Sequence, residues 1–165
     1  GLNFLGKSCY QYNITLCYQP HMGTVIQNSD EIKKLLEQTD PDYVSLTFDS
    51  GHLLFSGIDP CWFLDTFISR IGQVIFQDLN RSVLTQISHR LSYYDSVMEG
   101  IFCTPGKGMI PFSHLMQTLA KAKYKDWILV QAEQDPKKNH PFTNAKQANH
   151  YLEKLLLKAT KQNLR

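Results

Sequence analysis

The chain has 165 residues, 42% of them hydrophobic and 19% charged, an ordinary globular composition with enough length for one domain and a real core. Lysine and arginine number 17 against 15 aspartates and glutamates, so a net charge of +2 offers no field for nucleic acid or a membrane surface. No apolar run approaches about 18 residues and no signal peptide is visible, so neither a membrane span nor an export leader is expected.

Cys9, Cys17, Cys61 and Cys103 are scattered without CxxC spacing. They read as buried thiols of a reducing compartment, hence a cytoplasmic protein, rather than a zinc site or disulfide frame. The chain opens at Gly1 without a methionine, which suggests a processed product or an excerpt of something longer.

In chain order, Leu2 to Tyr12 has helical spacing (Leu2, Leu5, Cys9, Tyr12) and stops at Asn13. Ile14 to Gln19 reads as a strand that runs into Pro20-His21-Met22-Gly23-Thr24. Ser29 or Asp30 can cap a helix over Glu31 to Gln38, with Ile32, Leu35 and Leu36 as its inner stripe. Tyr43-Val44-Ser45-Leu46-Thr47-Phe48 is a short run bounded by Pro41 and Gly51, rich in aromatic and β-branched residues, and it predicts a buried strand ending in Asp49.

Ser50-Gly51 then reads as a small-residue turn leading to His52. In parallel αβ folds, ligands collect beyond the carboxyl ends of the strands. There, Asp49 and His52 can bind a divalent metal, or hold a sugar hydroxyl while moving a proton. They can equally be a capping Asp and a locally packed His.

Asp59-Pro60 opens a helix over Cys61 to Ile71, with Trp62, Phe63, Phe67 and Ile71 facing inward. Gln73 to Gln77 is a third strand ending at Asp78, and Ser82 to Leu91 and Tyr93 to Met98 are short helices. Thr104-Pro105-Gly106-Lys107-Gly108 is a tight loop. Pro111 to Ala122 is a helix, Trp127 to Ala132 a fourth strand, and Thr143 to Gln162 a closing helix whose lysine-rich face is solvated, opposite Leu152, Leu155, Leu156 and Ala159.

His89, His114, His140 and His150 fall on helices or a polar loop and read as surface or packing residues. Four strands, each followed by helical material, predict an α/β fold of right-handed parallel βα units in one domain over 1–165. They make either half of an eight-stranded barrel or a small open sheet.

PHMGT, the DSGH turn with its downstream DP, the TPGKG loop and WILVQAEQDP, in this order, resemble the sugar isomerase/epimerase superfamily of metal-dependent, xylose-isomerase-like TIM barrels. More narrowly they resemble the inosose dehydratases of myo-inositol catabolism, over nearly all of the chain but only the second half of such a barrel. The resemblance implies a carbon–oxygen lyase with manganese or cobalt that removes water from a small polyol or keto-sugar. It also implies that the barrel is completed by its other half or by self-association.

By the same resemblance, Asp49 and Glu133 are metal ligands, His52 and His21 are catalytic, and His52 and Gln19 meet the substrate. The acid after the last strand falls at Gln131 on a count from Trp127, or at Glu133 in the EQD run, two positions apart on one strand face.

Several positions depart from that pattern. Gln19 stands for the first His of an HxH, and Ile75 in IFQD for the His of an HLKD-like stretch. Lys107 replaces a common acid in the glycine loop and Pro111 a common Asp. Amides bind transition metals poorly and isoleucine not at all, so weakened metal binding is expected. A catalytically impaired relative that binds a carbohydrate or a protein partner is therefore the second reading.

Overall fold

The computed structural model describes residues 1–87 and 91–162. In chain order it contains α1 (Leu2–Tyr10), β1 (Leu16–Tyr18), α2 (Ser29–Gln38), β2 (Val44–Asp49), α3 (Ser50–Phe55), α4 (Pro60–Phe67), β3 (Ile71–Phe76) and β4 (Asp78–Leu79). There follow α5 (Arg81–Gln86), α6 (Tyr93–Met98), β5 (Phe102–Cys103), α7 (Phe112–Lys121), β6 (Ile128–Val130) and α8 (Pro141–Gln162). A four-stranded sheet has the order β1-β2-β3-β6, with β1–β2 and β2–β3 parallel. This is the architecture of parallel βα units, and β1 and β6 are the two ends of the strand order. His89 lies outside the described residues, and the helix expected over Ser82 to Leu91 ends at Gln86, where Ile87 turns to extended backbone.

Contacts divide the chain into two units, the first comprising 1–75 and 126–128, the second the described residues of 76–125 and 129–165. In the first, Val44, Leu46 and Phe48 of β2 are at most 1% exposed, and the intervening Thr47 and Asp49 are buried too. The strand alternates apolar and polar residues, so its second face is covered by paired polar groups: Thr47 Oγ1 donates to the Gln73 side-chain oxygen at 3.0 Å, and Asp49 accepts from its neighbours. Ile32 of α2 and Phe63 and Leu64 of α4 add fully buried side chains to this unit's core.

Five expectations for this unit are corrected. The cap of α2 is Asn28, not Ser29 or Asp30: its side chain accepts from the Asp30 and Glu31 N–H groups while Glu31 accepts from the Asn28 N–H. Asparagine caps as well as serine, and the acid three residues on completes the reciprocal pair. The first helix ends at Tyr10, because the chain reverses through Asn13 at φ 56°.

Nor does that helix bury an apolar stripe. Leu5 and Tyr12 are exposed, and its buried residue is Gly6, where a Cβ would lie 2.2 Å from the Tyr43 carbonyl oxygen. Asp59 caps α4 with Pro60 at its start as expected, but the helix stops at Phe67 and a 3-10 turn leads into β3. Trp62 is 43% exposed, its ring edge-on to Phe67, not inward-facing.

The second unit has its own core of Phe76, Leu79, Ile101, Phe102, Phe112, Leu115 and Leu119, with Ala148, Leu152 and Ala159 on the inner face of α8. Leu156, expected on that face, is 50% exposed. The antiparallel pair β4–β5, in the register Asp78↔Cys103 and Leu79↔Phe102, was not expected; at two residues each, these strands leave no periodic signal. The fourth strand is Ile128–Val130, and Trp127 is 86% exposed ahead of it. His114 and His150 are exposed on helices, and His140 is exposed beside Thr143.

Candidate active site

The carboxyl end of β2 gathers the predicted residues of the first unit. Asp49 is the last residue of that strand and the cap of α3, and it is fully buried. Its Oδ1 accepts from the Gly51 and His52 N–H groups, each at 3.1 Å, and its Oδ2 accepts from the Gln19 side-chain amide at 2.9 Å. The stretch expected to be a small-residue turn is therefore a helix, started by the carboxylate that ends the strand.

His52, one turn into this geometry, is 1% exposed, and its ring centroid lies 3.6 Å from that of His21 with the planes tilted by 33°. The two imidazoles present ligand atoms within 4.8 Å of each other.

His21 is held by its loop. Its N–H donates to the Ile26 carbonyl, and Thr24 Oγ1 donates back to the His21 carbonyl. His21 Nδ1 lies 2.8 Å from the Met22 carbonyl oxygen. A carbonyl can only accept, so in this arrangement Nδ1 carries the proton and Nε2 is the acceptor nitrogen of the neutral ring. Imidazoles that ligate metals are oriented by such a bond through the other ring nitrogen. Gln19, Asp49, His52 and His21 are thus brought together in one unit. Ile75, where the resemblance implies an imidazole, is 6% exposed and in register with Asp49.

In the second unit, Glu133 is half-buried and follows β6. The Tyr93 hydroxyl and the Gln77 amide (3.2 Å) donate to its Oε2, and the Gln131 amide donates to its Oε1 at 2.9 Å. The two candidates for the strand-end acid therefore touch: Gln131 is a donor to Glu133. Sequence reasoning missed Tyr93 and Gln77. Gln77 had a signal in being a polar residue after a buried apolar run, whereas Tyr93 sits in a stretch with none.

The cysteines are free and half-buried rather than buried. Burial, with Asp78 adding to it, pushes the Cys103 thiol up to about 12, and burial with Asp59 and Asp65 pushes Cys61 up to about 11, so both stay protonated and unreactive at neutral pH.

Residues 1–155 match the model of the xylose isomerase-like TIM barrel family. The chain belongs to that family. Within this xylose isomerase-like family, the chain is 40% identical over 154 residues to inosose dehydratase 2 of a Bacillus cereus strain, across 93% of this chain and 52% of that protein. It is 42% identical over 158 residues to inosose dehydratase of Mesomycoplasma hyopneumoniae (strain 7448), across 94% and 53%.

The chain thus spans about half the length of the curated relatives it matches. Among solved structures it is similar in fold to a zinc-binding IolI protein, with a TM-score of 0.71 at 15% identity over 96% of this chain and 54% of the other. An L-ribulose 3-epimerase gives the same TM-score at 16% identity, over 98% and 54%. Among the described residues, no helix is long and apolar enough to cross a membrane.

Proposed function

We propose that the chain is, or forms part of, an inosose-dehydratase-like lyase that removes water from a cyclic polyhydroxylated ketone of inositol catabolism in the cytoplasm. The observation that carries this reading is the stacked His21–His52 pair beside Asp49, with the His21 proton fixed on the Met22 carbonyl. Identity of about 40% to inosose dehydratases along almost the whole chain supports the same chemistry.

The carboxylate of Asp49 in the first unit and that of Glu133 in the second are each donors of the type that suits a divalent ion of the manganese or cobalt kind, and the imidazoles of His21 and His52 are left for proton transfer. When bound, such an ion stabilises the negative charge that develops on the substrate's carbonyl oxygen. His21, with Nε2 as acceptor, takes the proton next to the carbonyl. His52 delivers a proton to the departing hydroxyl, and Gln19 and His52 orient the ring hydroxyls.

The substitutions limit this activity. Gln19 donates to Asp49 rather than standing as an imidazole, and the apolar Ile75 lies in register with that carboxylate. These two observations favour the second reading, a catalytically impaired relative that keeps the scaffold to bind a carbohydrate or a protein.

Titration with manganese or cobalt is therefore expected to show weak binding, and Ile75→His is expected to raise affinity by about tenfold or more, since it returns a donor beside Asp49. Tight stoichiometric metal in the unmodified chain, or no gain from Ile75→His, counts against this account. Strands at the ends of the order, β1 and β6, carry backbone groups that a further strand can pair. Sedimentation of the isolated chain is expected to show self-association. A stable monomer would favour a self-sufficient open sheet.

A further inference from the structure

The amide at position 131 and the phenol at 93 share one partner. Gln131 follows β6 directly, and its backbone N–H donates to the Phe76 carbonyl at 3.1 Å, which fixes its own position. Its side chain then reaches Glu133 Oε1 at 2.9 Å. Tyr93 opens α6, which Ser92 caps through the Asp95 N–H, and its hydroxyl meets Oε2 of the same carboxylate. Gln77, fully buried after β3, donates to that oxygen at 3.2 Å. Three neutral donors from three separate elements thus converge on one half-buried carboxylate and engage both of its oxygens.

We infer that Tyr93 and Gln131, with Gln77, are positioning residues that hold Glu133 in one orientation, and that Gln131 is a working donor rather than a lapsed metal ligand. The inference rests on the reading of Glu133 as a metal donor. The chemistry favours an amide here. A carboxylate at 131 would accept only, so it would lose the bond and set two negative groups about 3 Å apart. A carboxylate with free rotation would also have to be ordered as the ion binds, whereas a pre-held one would not.

Two measurements test this. In the metal-free chain labelled with ¹³Cζ-tyrosine, the Tyr93 signal, assigned by its loss in Tyr93→Phe, is expected to shift in Glu133→Gln and in Gln131→Glu. A signal that moves in neither variant overturns the clamp. In manganese titrations followed by electron paramagnetic resonance of the free ion, Tyr93→Phe is expected to bind about 10–100-fold more weakly at an unchanged Tm, and Gln131→Glu to bind no more tightly than the parent. Undiminished affinity in Tyr93→Phe, or a gain in Gln131→Glu, overturns the assignment. If the parent chain binds no manganese, the metal reading of Glu133 falls, and the tyrosine signal alone decides whether the clamp exists.

Discussion

Replacing Asp78 by alanine is expected to destabilise the chain by about 4 kcal/mol, more than any single change at the candidate site. Asp78 is fully buried, with Oδ1 accepting from the Leu79 and Ile110 N–H groups at 2.9 and 3.0 Å, and Oδ2 from those of Gly106 and Gly108 at 2.9 and 2.8 Å. Burial pushes this carboxyl up while the four N–H groups pull it the other way, and burial prevails. The net gain from the carboxylate is accordingly modest, and the cost of losing it is the cost of what it leaves behind.

Alanine would strand four backbone donors, at about 1–3 kcal/mol for each that water cannot reach. Gly108→Ala attacks the same cradle from the other side: its Cβ would lie 2.2 Å from the Leu79 carbonyl oxygen and 2.3 Å from Asp78 Oδ1, so the loop must move. Both variants should show a fall in the guanidinium midpoint. A loss below about 1 kcal/mol for Asp78→Ala would mean that the Thr104–Ile110 loop holds itself without the carboxylate.

That cradle also shows where the sequence could be read and where it could not. TPGKG was legible as a tight loop because its proline and glycines restrict or widen the backbone, and Gly106 does adopt φ +91°. What the loop wraps was not legible, since Asp78 lies 30 positions before Gly108 and nothing local marks it as an acceptor of distant N–H groups. Long, strongly patterned elements such as α2, β2, α7 and α8 were recovered to within a few residues, because burial of one stripe or run dictates their composition.

Two-residue strands and the cap choice at Asn28 were decided by a few local hydrogen bonds, which periodicity does not report. At the candidate site, Asp49 and His52 were legible together because they stand three positions apart at the end of one patterned strand. Gln19 and His21 came from motif order rather than from any local pattern. Tyr93 and Gln77 reach Glu133 from 40 and 56 positions away, and no local signal could carry that.

The sharpest test of the site separates the two roles that Asp49 fills at once. As a cap it accepts from the Gly51 and His52 N–H groups, and as a charged group it holds the Gln19 amide and stands beside the histidines. Asp49→Asn keeps the first role: asparagine caps as well as aspartate, and Gln19 can turn its amide to present oxygen to the new NH₂, so stability should change by no more than about 1 kcal/mol.

Asp49→Ala removes both roles. It should cost about 2 kcal/mol, the sum of a lost cap and a half-buried Gln19 amide left without its acceptor. If Asp49 serves only the fold, metal affinity and turnover will follow stability, and the asparagine variant will match the parent. If it serves the reaction, Asp49→Asn will lose at least 10–100-fold in metal affinity or dehydratase rate with its Tm intact, because an amide binds divalent ions poorly and carries no charge. The expected result is the second. An asparagine variant as active and as metal-competent as the parent would return Asp49 to a purely structural role and move the chemistry to the two imidazoles and Glu133.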